Sequence, residues 1–253
     1  MSLGLRGGFQ RGISADNPFG VHEYGNVIRN WRKEGKTMKT YAHFVSKKTS
    51  QGMKIFRHHT EFHSINGPGK AIGLVVMMNP GDARPIDDVL FNTLENSEYE
   101  TEKPVLTVPD NTMKKVMRMI RKAYDDNEIK LPHQYSIHIE NIFNIREKDS
   151  DKAKRYARSI SGVKHLMFKS RELLNNYDFV FFAWGKLDVG IERQKDLLTK
   201  YPQAIVVNKL NYKGTIMDVS YPVHPLYMKT EYFLKASKDK IGIRLLEEDA
   251  NIL

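Results

Sequence analysis

The stretch that decides the fold is Ala71-Ile72-Gly73-Leu74-Val75-Val76-Met77-Met78-Asn79-Pro80-Gly81. Its first eight residues form a continuous apolar run with two valines, which predicts a strand buried on both faces. Asn-Pro-Gly then closes it as a tight turn. Working outward, two more apolar segments end in the same manner. Tyr135–Ile139 leads into Asn141-Ile142-Phe143-Asn144, and Phe179–Ala183 into Trp184-Gly185-Lys186. A fourth run, Ala204–Val207, precedes a loop that carries His224-Pro225-Leu226. Helical patterns separate these runs, so the expected fold is α/β, a three-layer sandwich with a mostly parallel central sheet. In such sheets the loops after the strands converge along the carboxyl edge, where ligands bind. The Asn, His and Gly/Pro turns are therefore expected in one site.

The clearest helix is Asn111–Tyr124, where Met113, Val116, Met117, Ile120 and Tyr124 recur at helical spacing behind Asp110, Asn111 or Thr112 as caps. Its other face carries Lys114, Lys115, Arg118, Arg121 and Lys122, a stripe that suits phosphates or plain solvent. Further helices are expected over Ala153–Asn175, whole or broken near Gly162, over Val189–Lys200, and over Met228–Ala236. Tyr135–Ile145, Asp178–Ala183 and Gln203–Val207 read as strands, and Lys54–Phe62 as an edge strand followed by a turn at Ile65–Gly69. Residues 82–110, with Glu95, Glu98, Glu100 and Glu102 at their middle, read as a long polar lid loop. Residues 1–50 read as irregular apart from a helix near Tyr24–Lys33. The domain division is thus a basic amino-terminal extension, 1–53, and an α/β domain, 54–253.

Composition narrows the function. The chain has 253 residues, 40% of them hydrophobic, enough for a sizeable core. No apolar run approaches the roughly 20 residues needed to span a bilayer. Met1–Gly12 is Gly- and Arg-rich rather than apolar, so no secretory signal is expected and a cytoplasmic location is. The absence of cysteine excludes disulfides and thiolate metal sites. The net charge of +10 is concentrated in residues 1–70, where twelve basic and four acidic residues give +8. Trp31, Tyr41, Phe44 and Phe56 are interleaved there, a pattern suited to phosphate contact and base stacking. A nucleic acid is the expected partner, with no membrane and no obligate protein partner.

The motifs resemble those of uracil-DNA glycosylases. Val76–Gly81 looks like motif 1 of the mismatch-specific branch, Val180–Gly185 like the superfamily strand that ends in Trp-Gly, and His224-Pro225 like the start of motif 2. Their order also resembles an uncharacterised bacterial and phage family with Asn-Pro-Ser/Gly, Asn-Leu-Phe, Ala-Trp-Gly and His-Pro-Leu-Tyr motifs, over about residues 55–235. Two departures stand out. Leu226 replaces the phosphate-contacting Ser of motif 2, and Asn79 replaces the Asp of the most active branch.

The resemblance implies a monofunctional DNA glycosylase that flips a base from duplex DNA and leaves an abasic site. Asn79, held by Pro80 and Gly81, would position the water, and His224 would donate to the departing base. Asn141 or Asn144 would read the base edge, and Phe143 would stack on it. Trp184 would pack at the sheet edge, with Gly185 permitting close approach. After Pro225, Leu226 or Tyr227 would wedge into the vacated stack. Lys114, Lys115, Arg118 and Lys186 would meet the DNA backbone. The structural alternatives are a turn for Asn79, strand-end capping for Asn141 and Asn144, and a core position for Phe143. Asp87, Asp88 and Asp110 are further candidate acids.

No cofactor and no metal are expected. His58, His59 and His63 invite a metal reading, but on a regular strand His59 and His63 sit far apart on one face without a carboxylate partner. Gly67–Ala71 lacks the spacing and the Ser/Thr of a phosphate-binding loop. The 82–110 insertion suits a pocket for a modified pyrimidine of phage DNA, and hence a role in repair or phage defence. The alternatives are a non-catalytic nucleic-acid-binding protein on this fold, or an N-glycoside hydrolase or transferase acting on free nucleotides.

Overall fold

A computed structural model describes residues 38–207, 221–238 and 240–241. The chain divides into two units, Met1–Thr37 and Met38–Leu253. The expected helix near Tyr24–Lys33 and most of the basic extension lie outside the described residues.

Among the described residues nine strands form one mixed sheet. They are β1 (Met38–Thr49), β2 (Gly52–Ser64), β3 (Ala71–Met77), β4 (Arg84–Pro85), β5 (Tyr99–Glu100), β6 (Val105–Val108), β7 (Ser136–Asn141), β8 (Phe179–Ala183) and β9 (Ile205–Val206). Their order is β4-β6-β1-β2-β7-β3-β8-β9, with β5 pairing to β1. Pairing is parallel across β7, β3, β8 and β9 and antiparallel elsewhere. The expectation of a mostly parallel sheet is corrected accordingly: only that half is parallel.

The antiparallel half joins the expected strand Lys54–Phe62 to segments read as irregular or as a lid loop. Met38–Thr49 pairs with β2 along its length, so β2 is an interior strand rather than an edge. The second unit therefore starts at Met38, not at residue 54. The 82–110 segment is not a bare lid. It holds β4, β5, β6 and the helix α1 (Asp88–Asn96), whose Leu94 packs with Ala42, Phe44 and Ile55.

Five more helices follow among the described residues: α2 (Asn111–Asp126), α3 (Ser150–Ser159), α4 (Lys164–Met167), α5 (Ile191–Lys200) and α6 (Thr230–Ser237). Alternate residues of the parallel strands serve opposite faces, the strand period of two. Val75, Met77, Ile137, Ile139, Phe179 and Phe181 pack with Met113, Val116 and Ile120 of α2 and Phe233 of α6. Leu74, Val76, Val180 and Phe182 pack instead with Ala153 of α3, Leu166 of α4 and Leu197 of α5. Helices thus cover both faces of the parallel half, giving three layers there. Each fully buried Phe contributes about 1.5–3 kcal/mol by burial. No helix among the described residues is long and apolar enough to cross a membrane.

Order within the parallel half positions the site. From β3 the chain passes to its neighbour β7 by way of α2, then crosses to β8 by way of α3 and α4 on the other face. Connections that diverge to either side of β3 open a crevice at the carboxyl ends of β3 and β8.

Candidate functional site at the carboxyl edge of the sheet

Met77 pairs with Asn141 of β7 on one side and with Ala183 of β8 on the other. One register row therefore launches three of the motifs together: Asn79-Pro80-Gly81, Asn141–Asn144 and Trp184-Gly185. The fourth is brought in by close packing. Gly185 has φ of +75°, and a Cβ there would lie 3.3 Å from the His224 Cβ. Lys115 of α2 holds the same loop, its Nζ donating to the Met228 carbonyl at 2.6 Å and the Leu226 carbonyl at 3.4 Å.

Asn79 is half-buried and partly committed. Its Nδ2 donates to the Glu147 carbonyl at 2.7 Å and the Ile145 carbonyl at 3.4 Å, tying the turn to the segment after β7. What the side chain has left for a ligand is its Oδ1 acceptor.

Asp110 stands beside it, through Gly81. Gly81 has φ of +63°, and a Cβ there would lie 2.2 Å from Asp110 Oδ2. Asp110 caps α2, its Oδ1 accepting from Met113 N at 2.8 Å. Burial raises its pKa, against the lowering effect of Arg57. A carboxylate held with one oxygen in a cap and the other against the turn suits the orientation and deprotonation of water.

His224 begins the 3-10 turn Pro225–Tyr227, its Nδ1 accepting from Leu226 N at 3.4 Å. That contact leaves the ring proton on Nε2 in the neutral form. Burial, assisted by the charge of Lys115, lowers its pKa to about 4, so the ring is neutral near pH 7 and Nε2 is a donor. Leu226 and Tyr227 are exposed beside it, Tyr227 at 85%.

The remaining expected residues separate. Pro80 and Pro225 are buried supports of their turns. Phe143 has no exposed surface and packs with Phe182 and Trp184, so the stacking role is corrected to a core one. Asn144 is 1% exposed and its Nδ2 donates to the Leu166 and Lys169 carbonyls, so it fastens α4 and the following segment instead of reading a base. Trp184 is a core residue. Asn141 is also 1% exposed, but its Oδ1 has no partner. Lys114, Arg118 and Lys186 are exposed, whereas Lys115 is taken by the two carbonyls. Asp87 caps α1 and Asp88 pairs with Arg84, which accounts for both.

Arg57, one of the twelve basic residues of 1–70, carries no expected role in the site. It has no exposed surface, and its Nη1 meets Met113 Sδ at 3.2 Å beneath the Asp110 cap. A lone Arg in a strand pattern gives no sign of this.

On the opposite face, buried Glu140 accepts from Arg171 at 3.0 Å and Arg193 at 2.8 Å, and Arg171 also reaches Glu61 at 2.7 Å. His59, at φ of +46°, is the extra residue of a bulge opposite β1, and it turns its ring to within 4.5 Å of that of His58. Among the described residues no group of three His or carboxylate side chains is placed to hold a metal ion. A cleft of about 540 Å³ beside α5, lined by Phe168, Leu173, Ile191 and Arg193, lies apart from the four motifs.

No family model, curated protein or solved structure matches this chain.

Proposed function

We propose that this protein is a monofunctional DNA N-glycosylase whose site is the carboxyl edge of β3, β7 and β8. The observation that carries the reading is the convergence of a carboxylate, Asp110, and a neutral imidazole, His224, on the two turns that flank the crevice, through Gly81 and Gly185. Hydrolysis of an N-glycosidic bond needs those two functions at opposite ends of the breaking bond. Asp110, with the Asn79 Oδ1 as a second acceptor, orients a water and takes its proton as the water attacks C1′. His224 Nε2 donates to the base as negative charge develops on it, an interaction of about 2.7–4 kcal/mol by analogy with oxyanion donors. The electron pair of the glycosidic bond leaves with the base, and the product is an abasic sugar. Leu226 and Tyr227, exposed at the rim, wedge into the stack that the flipped base vacates. Lys114, Arg118 and Lys186 meet phosphates. The departure from the earlier expectation is the base: Asp110 takes the role that an amide at Asn79 fills poorly.

The test is the formation of alkali-labile abasic sites in duplexes carrying uracil, mismatched thymine, cytosine or hydroxymethylated and glucosylated cytosine. Cleavage of one substrate, abolished in Asp110→Asn and His224→Ala, supports the reading. Tight salt-sensitive DNA binding with no abasic sites supports a non-catalytic binding protein, a reading favoured by the commitment of the Asn79 amide to backbone carbonyls.

A further inference from the structure

Buried polar groups at this edge that lack partners include Trp184 Nε1 on one face of the sheet and two groups on the face packed by α2. Arg57 has no exposed surface, yet its Nε and Nη2 donate to nothing. These two nitrogens form one edge of the guanidinium, with roughly parallel N–H bonds that suit a pair of adjacent acceptors. Asp110 acts on Arg57 by its charge, but no hydrogen bond joins them. The second group is Asn141 Oδ1. Buried polar groups are nearly always paired, so unpaired ones call for a partner.

Both groups belong to one place. Asn141 follows Ile137 and Ile139 in the strand alternation, on the face packed by α2. Arg57 touches Met113 of α2, and its backbone N donates to the Asn144 carbonyl at 2.9 Å, three residues past Asn141. Asp110, which caps the turn holding Met113, rests against Gly81. The guanidinium and the amide oxygen thus share the face of the sheet packed by α2, near the Asp110 cap and the carboxyl end of β7.

We propose that Arg57 and Asn141 are the base-reading floor of this site and select a cytosine-type pyrimidine. Arg57 donates to O2 and N3, and Asn141 accepts from the 4-amino group. This rests on the glycosidic reading above and names its base. Cytosine presents acceptor, acceptor, donor along that edge, the complement of the Arg57 fork followed by an amide oxygen. Uracil presents acceptor, donor, acceptor and would set its N3–H against an Arg57 N–H. Guanine offers two adjacent acceptors at O6 and N7, but its N1–H and 2-amino donors lie on the other edge and point away from that pair. The Arg57 charge also faces O2 and N3, where negative charge gathers as the base departs. The pKa of Arg57 is lowered by burial only to about 10, so it stays cationic at neutral pH. Both groups are closed off from solvent, so the base displaces their covering side chains on entry.

The experiment uses the full chain and two readouts: binding of 2′-deoxycytidine against 2′-deoxyuridine, and base release from oligonucleotides carrying a single cytosine or a single uracil. The expected result is a preference for deoxycytidine of about tenfold or more. Arg57→Lys keeps the charge but not the fork and should lose the preference. Asn141→Leu should lose it as well, whereas Asn141→Asp, which keeps an oxygen acceptor, should retain it, so the test survives a misfolded Arg57 variant. Uracil release without a cytosine preference overturns this inference and leaves the glycosylase standing. A deoxycytidine preference that Arg57→Lys and Asn141→Leu abolish, with no base released, supports the inference and overturns the hydrolysis. No nucleoside binding and no release overturns both.

Discussion

Asp110 Oδ2 lies 2.2 Å from the point a Gly81 Cβ would occupy, so the carboxylate fills the space that this residue leaves empty. The turn that ends β3 and the cap that starts α2 are therefore fitted to each other. The φ of +63° at Gly81 independently disfavours a side chain.

Gly81→Ala should therefore damage the site more than the fold. The new methyl must push Asp110 from its cap, at a stability cost of about 1–2 kcal/mol from cap and backbone together. Base release should fall at least about 100-fold, the range that general-base catalysis spans. Thermal melting and single-turnover assays of the same preparation separate the two effects. An unchanged rate would remove Asp110 from the chemistry.

Asp110→Asn retains an acceptor for Met113 N and should leave the melting temperature nearly unchanged, while Asp110→Ala should lose about 1 kcal/mol with the cap. Both should abolish base release. Activity retained in Asp110→Asn would show that Asp110 is a cap alone.

His224 should titrate near 4 rather than at the ordinary histidine value, because burial and then Lys115 oppose its protonation. The unfolded chain binds that proton more readily, so this residue's contribution to stability is present above about pH 6.5 and lost as the pH falls toward 4. Histidine NMR resonances followed across pH 3–8 check the midpoint, and Lys115→Met should raise it. A midpoint near 6.5 would contradict the neutral donor.

Glu61 bears on the opposite face. Burial alone would raise its carboxyl, but hydrogen bonds from His63 and Arg171 prevail and hold it near pH 2. Its folded pKa is depressed, so the stabilisation is full above about pH 4.5 and is lost as the pH falls through that value toward 2. The melting temperature of the native protein should therefore decline over this window more steeply than that of Glu61→Gln. Parallel acid melting curves would contradict the ion pair.

Much of the parallel half was legible because its strands are short, apolar and bounded by turns. Ala71–Met77 and Phe179–Ala183 are wholly or nearly buried on both faces, which makes a continuous hydrophobic run. The spacing of Met113, Val116, Ile120 and Tyr124 likewise marks α2, since all four are buried. The antiparallel half hides for a physical reason. The inward positions of β1 include Thr40 and Ser46, and those of β2 include Arg57, His58 and Thr60, so burial and hydrophobicity part company there. A bulge at His59 then reverses which residues face α2, and no residue type announces it. Strands of two to four residues in the 82–110 segment are too short for periodicity to register. In the site, the turns were legible as turns, but Phe143 and Asn144 went inward because the chain just past β7 packs against α4, whose Leu166 carbonyl accepts from Asn144 Nδ2.

The most direct measurement is mass spectrometry of a single-turnover reaction on a cytosine-containing oligonucleotide in heavy-oxygen water. Free base and an abasic strand that carries one solvent oxygen at C1′ are expected, both missing with Asp110→Asn and His224→Ala. An intact oligonucleotide after prolonged incubation, for every base tested, would contradict the glycosylase reading.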